Sequence, residues 1–179
     1  APPRRTGMTQ VMSGLGITGH WIGIHDGDAR AVALYERHYS ARSNVPTKVR
    51  LRHGIVGPGQ SMILITVDGS ALFGWQYNTI ERYDHQLGVN CFVYRNEGSI
   101  LSSELILEAE ELAWQRWPGK RLFTYVWDAK VKSANPGYCF KKAGWQHCGR
   151  NADGRLTILE KFPETESPRA DEPGDSQRR

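Results

Sequence analysis

The chain has no apolar run approaching the ~18 residues of a membrane-spanning helix, so no membrane partner is expected. Its opening residues, APPRRTGMTQ, are not followed by an apolar segment, and no secretory signal is expected. Cysteine is scarce and odd in number. Cys91, Cys139 and Cys148 include no CxxC pair, which argues against a disulfide framework and for reduced thiols in a cytoplasm. His147-Cys148 has no partner at metal-site spacing. Internal repeats are also absent.

Against these absences stand six tryptophans and 39% hydrophobic residues, the composition of a packed globule of about one domain in 179 residues. The formal charge is +4, spread unevenly. Residues 163–179 hold five acids against three arginines, leaving +6 on the rest. That surplus suits a polyanionic partner. Residues 1–19 read as a flexible N-terminal arm, 20–162 as a single domain, and 163–179 as a disordered Pro-rich tail.

The most informative stretch is Asn90 to Trp145. A short apolar strand, Asn90–Tyr94, ends in the turn Arg95-Asn96-Glu97-Gly98. Ser102 and Ser103 are placed to cap a helix with an apolar stripe at Leu105, Ile106, Ala109, Leu112 and Ala113, stopped at Trp117-Pro118-Gly119. A strand over Arg121–Trp127 runs out at Asp128. Asn135 as cap, Pro136 at the first helical position and Gly144 past the end frame a helix of about two turns. Such a βαβα unit presents its ligand at the carboxyl ends of its strands.

Upstream, His20–Ile24 reads as a strand. Asp26 or Asp28 caps a helix over Ala29–His38, and Met62–Val67 with Ser70–Gln76 form a hairpin across Asp68-Gly69. Between them, Arg37 to Arg52 carries five basic residues and no acid. Downstream, His147–Arg150 and Arg155–Lys161 make a closing hairpin.

This order resembles the GNAT superfamily of N-acetyltransferases over roughly residues 20–162. The resemblance implies an α/β protein of α+β type, with a mixed, mostly antiparallel sheet flanked by helices. It rests on two motifs. Arg95-Asn96-Glu97-Gly98-Ser99-Ile100 is similar to the family's Gln/Arg-x-x-Gly-x-Gly/Ala loop, with Ile100 in place of the last small residue. Phe140-Lys141-Lys142-Ala143-Gly144-Trp145, preceded by Asn135, is similar to its Asn…Tyr/Phe-x-Lys-x-Gly-Phe helix. The implied cofactor is acetyl-CoA or a related acyl-CoA. Val93, Tyr94, Arg95, Asn96, Gly98, Ser102, Ser103, Asn135 and Tyr138 are the expected cofactor-binding residues.

A narrower resemblance appears when His38-Tyr39-Ser40, Arg95-Asn96-Glu97-Gly98 and Asp128 are taken together. They look like the phage Mom-type DNA-modification proteins, a divergent branch of the same superfamily, which convert adenine in DNA to a carbamoylmethyl form and so protect it from restriction. The resemblance implies His38, Tyr39 and Asp128 as catalytic residues. It also implies double-stranded DNA and a coenzyme A thioester as partners, a cytoplasmic location in an infected bacterial host, and a homodimer as one assembly. A divalent metal such as iron, held through Tyr39 and Asp128, is the alternative to metal-free proton transfer, since phenolate and carboxylate suit such an ion. Arg42, Lys48, Arg50, Arg52, Lys130 and Lys132 are the expected DNA-binding residues. Two other functions fit the same fold: N-acetyl transfer to a small-molecule or protein amine, and non-catalytic nucleic-acid binding.

Overall fold

The computed structural model describes residues 19–80, 82 and 84–164. The arm expected over residues 1–19 and the tail expected over 163–179 lie, but for their innermost residues, outside those described. The described chain runs β1 (Trp21–Ile24), α1 (Ala29–Glu36), α2 (Thr47–His53), β2 (Gln60–Thr66), β3 (Ala71–Tyr77), β4 (Val89–Asn96), α3 (Ser102–Arg116), β5 (Leu122–Trp127), α4 (Tyr138–Lys142), β6 (Gln146–Arg150) and β7 (Leu156–Lys161). A 3-10 turn, Asp128–Lys130, follows β5. The fold is α+β. Seven strands form one sheet in the order β1-β2-β3-β4-β5-β7-β6, antiparallel throughout except where β4 lies parallel to β5. None of the described helices is long and apolar enough to cross a membrane.

The central strands read ILIT and ALFGW because both faces of the sheet are covered. On one face Leu105, Ile106, Ala109 and Ala113 of α3 and Phe140 of α4 pack against Phe73, Trp75, Val89, Cys91 and Leu122. On the other, Ala31 and Leu34 of α1 cover Ile63, Ile65, Leu72 and Val93. The apolar stripe expected on α3 is thus its buried face.

Two expectations about helix ends are corrected. α3 has Leu101 at its cap position with no side-chain cap, so Ser102 and Ser103 lie inside the first turn. The turn is closed by Asn96, whose Nδ2 donates to the Ile100 carbonyl (2.8 Å) and to Ser102 Oγ (3.1 Å). Asn135 does not cap α4. Gly137, in the left-handed conformation at φ 75°, precedes that helix, and Asn135 accepts instead from Lys141 Nζ at 2.8 Å. The basic segment after α1 contains a helix, α2, that periodicity did not announce.

Two features of the sheet prepare the site. β4 and β5 pair only at Val89–Leu122, Asn90–Phe123 and Cys91–Thr124. Beyond them β4 continues beside β3 and β5 beside β7, so a gap opens. Opposite the step from Gly74 to Trp75, β4 carries one residue too many. Trp75 faces Cys91, Gly74 faces Val93, and Phe92 is bulged. Gly74 is glycine for this reason, since a Cβ there would sit 2.5 Å from the Phe92 ring.

Candidate active site

The gap between β4 and β5 encloses a cavity of about 40 Å3 lined by His38, Tyr39, Cys91 to Tyr94, Thr124 to Val126, and Phe140. At roughly 10–15 Å3 per water, that is room for about three small atoms. An acetyl-sized group fits. Bulging of Phe92 takes main-chain groups out of the β3 ladder, and no β5 residue pairs with β4 past Cys91. The β4 backbone past Cys91 thus has no partner strand on the side of the gap.

The end of α1 delivers the expected His-Tyr pair. The His38 amide donates to the Tyr35 carbonyl (2.9 Å), which winds the chain one residue past Arg37 and turns both rings over the gap. The rings lie 4.2 Å apart at 31°. His38 Nδ1 accepts from the Ser40 amide (3.2 Å) and lies 2.7 Å from Ser40 Oγ. An Nδ1 that accepts an amide carries no proton, so the proton sits on Nε2. Burial, assisted by the Arg95 charge, lowers the His38 pKa from 6.5 to about 4. The ring is neutral at pH 7. With its lone pair committed to Ser40, it is a donor and a packing surface rather than a proton acceptor.

Tyr39 is 38% exposed. Burial of its hydroxyl raises the phenol pKa, and the nearby Asp128 carboxylate opposes ionisation as well, while a main-chain hydrogen bond from Trp127 partly offsets them. The hydroxyl therefore keeps its proton and stands against the end of β5. Asp128, in the 3-10 turn beyond that strand, accepts at Oδ2 from Thr157 Oγ1 (2.9 Å) and from Arg150 (3.2 Å). Tyr39 lines the cavity and Asp128 follows β5 where that strand ends, and Arg150, unmarked by the sequence, partners the carboxylate.

The expected cofactor residues divide. Val93 and Tyr94 line the cavity. Tyr94 hydroxyl is buried without a hydrogen-bond partner, and burial raises its pKa. Asn96 is used in closing the turn, and the Gly98 amide is spent on Asn96 Oδ1 (2.9 Å). A Cβ at Gly98 would lie 2.2 Å from Ser70 Oγ, which by itself requires glycine there. Asn135 and Tyr138 lie exposed on and before α4, and neither lines the cavity. Arg95 donates through Nη1 to the Arg37 carbonyl (2.7 Å) and through Nε to Glu97.

The expected DNA-binding residues need one correction. Arg50 is 7% exposed, donates from Nη1 to Glu36 (2.8 Å) and from Nη2 to the Arg42 carbonyl, and lies over the Tyr35 ring. It ties α2 to α1 and is a structural residue. Arg42, Lys48, Arg52, Lys130 and Lys132 are exposed.

Cys91 and Cys139 both have thiol pKa values raised by burial, so neither is a ready nucleophile. Among the described residues no group of three or more His, Cys, Asp and Glu side chains converges to hold a metal. Asp128 Oδ2 is committed to Thr157 and Arg150, and His38 Nδ1 to Ser40. These residues as arranged do not make a metal set, and no step below passes through a metal.

The His38 shift gives a test in solution. With the folded pKa near 4 and the unfolded value near 6.5, the unfolded chain takes up a proton that the folded one resists. Stability should be full above pH 6.5 and fall as pH drops toward 4, by at most about 3 kcal/mol from this group. In urea titrations across that window, His38→Asn should flatten the dependence. An equally steep variant would place the titration elsewhere.

No protein-family model matches the chain, and no curated protein matches it.

Proposed function

We propose that the protein is a GNAT-type transferase of the Mom kind, which modifies the exocyclic amine of adenine in double-stranded DNA using an acyl-CoA-class donor. The observation that carries the reading is the cavity at the β4–β5 splay, with the Phe92 bulge on one wall and the His38-Tyr39 pair over its mouth. A bound acyl-CoA would supply a thioester carbonyl. Val93, Tyr94 and the peptides of the bulge would orient it, with room for a small acyl group and no more.

The acyl group would occupy the cavity and the adenine would meet it at the mouth, flipped from the duplex against the exposed Tyr39 face. There Asp128 would accept the proton the amine loses on bonding to the acyl carbon, and the Tyr39 hydroxyl would donate one to the thiolate that leaves. His38 stacks behind Tyr39 and fixes its plane. Arg150 keeps Asp128 aimed.

DNA affinity comes from exposed cations on both sides of the mouth: Arg42, Lys48 and Arg52 before β2, and Lys130 and Lys132 after β5. Replacing Lys48 and Arg52 by alanine should weaken binding to unrelated sequences alike and flatten the slope of log K against log salt by at most about 2. Arg50→Ala should instead lower the melting temperature. An unchanged slope in the double variant would move the DNA surface elsewhere. Calorimetric titration with coenzyme A tests the cofactor half of the reading, and a folded protein that takes up none would contradict it.

A further inference from the structure

A buried guanidinium holds an exposed turn. Arg50 is the one buried residue of α2, whose other side chains face water. Its Nη1 donates to Glu36 Oε1 (2.8 Å), which also takes the Thr47 hydroxyl (2.8 Å). Its Nη2 donates to the Arg42 carbonyl, in the segment that joins α1 to α2. Taking a charge out of water is costly unless its donors are used, and one of them is spent here on the main chain of a surface connection. That connection is held at three further points. The Ala41 amide donates to the His38 carbonyl (3.0 Å), the Val45 amide reaches the Arg42 carbonyl (3.4 Å), and the ring of Pro46 fixes φ at −64°. Between these ties lies the turn Ser43-Asn44. Both residues are exposed, and among the described residues neither side chain has a hydrogen-bond partner. A fixed main chain thus presents two unengaged polar side chains shortly after His38 and Tyr39.

We propose that this turn reads the DNA sequence beside the modified base, with Asn44 bonding the edge of a neighbouring adenine in the major groove and Arg50 positioning the turn. The inference rests on the DNA half of the reading above. When one base is flipped against Tyr39, its neighbours stay stacked and keep their edges in the groove that the adenine amine faces. A carboxamide has one donor and one acceptor side by side, which matches the N7 acceptor and N6 donor of adenine. The Ser43 hydroxyl suits any base, and Lys48 and Arg52 are drawn to phosphates whatever the sequence. Asn44 is therefore the side chain of this segment whose bonding pattern distinguishes one base from another. Holding the main chain in advance leaves only the Asn44 side chain to order on binding, and that raises the discrimination it can deliver.

The test is competitive binding of the full chain to a pool of duplexes with a fixed central adenine and randomised flanks, with bound and free fractions sequenced. Wild type should favour adenine at one flanking position by about five- to a hundredfold, the worth of a paired side-chain contact to a base. Asn44→Ala should bring that position to within about twofold of even, with affinity for bulk DNA and its salt slope unchanged. Asn44→Asp accepts without donating and should move the preference at the same position to cytosine. Arg50→Met keeps a buried stem but frees the Arg42 carbonyl. Below its melting temperature it should still bind DNA and lose the preference at that position. A wild type with no flanking preference overturns the proposal, and so does a preference that survives Asn44→Ala. A folded protein that binds no DNA contradicts the DNA reading and removes this inference with it. DNA binding whose base preference is indifferent to Asn44 overturns the inference alone.

Discussion

Replacing Glu110 by alanine is expected to lower the free energy of unfolding by about 3 kcal/mol. Glu110 sits on the buried face of α3 at 1% exposure. Its Oε2 takes a hydrogen bond from Lys161 Nζ (2.6 Å) and its Oε1 one from Trp145 Nε1 (2.5 Å). Lys161 also donates to the Ala143 carbonyl (2.7 Å), so one ion pair joins α3, β7 and the end of α4. Burial pushes the Glu110 carboxyl up, and Lys161 and Trp145 pull it back. Removing the acid strands an ammonium and an indole N–H in a place built for a carboxylate. Because Lys161 retains a path to water, the cost falls at the lower end of the range for a broken buried pair. The double change Glu110→Leu, Lys161→Met should recover most of the loss, since an apolar pair leaves nothing unpaired. Urea denaturation measures both. A single variant within 0.5 kcal/mol of wild type would show that Lys161 simply turns outward. Trp145 packs edge-on against Phe140 at 4.9 Å, so the single variant should also loosen one wall of the cavity.

Glu110 illustrates what the sequence hid. The stripe Leu105, Ile106, Ala109, Leu112, Ala113 was legible because a helix buries by period, but an acid beside that stripe looks like solvent-facing polarity. Its partner lies 51 residues away on β7. Arg50 was misread for the same reason: a basic run looks like surface until one member finds Glu36 and a carbonyl to bond. The Phe92 bulge leaves its only trace as a glycine on the neighbouring strand, and Gly74 means nothing until pairing is known. Gly98 stood out through the loop motif, whereas its close approach to Ser70 needed the structure. What did read true is local order plus one parallel step. Strand, turn, helix, strand in sequence sets β4 beside β5, and His38-Tyr39, at the end of the first helix, meets them at the gap.

The larger functional effect belongs to the mouth of that gap. Asp128→Asn keeps the shape of the side chain and the Thr157 contact, and removes the charge that would accept the amine proton. Modification should fall by about 10^2- to 10^4-fold, the worth of a positioned proton-transfer group, with the melting temperature nearly unchanged. Tyr39→Phe keeps the ring stacked on His38 and loses only the hydroxyl held by the Trp127 main chain. It should lose activity by about 10^2-fold if the hydroxyl donates a proton. Near-normal activity would reduce Tyr39 to a stacking surface. Arg150→Ala, which frees Asp128 without removing it, should cost less than either. A fully active, folded Asp128→Asn protein would remove Asp128 from the chemistry.

The most direct test is mass spectrometry of nucleosides from plasmid DNA propagated with the protein. The wild-type sample should contain an adenine nucleoside heavier than deoxyadenosine by a small acyl-class group on the exocyclic amine, absent from DNA propagated with Asp128→Asn. Unmodified adenine throughout, from cells holding soluble and folded wild-type protein, would contradict the assignment of DNA adenine as the substrate.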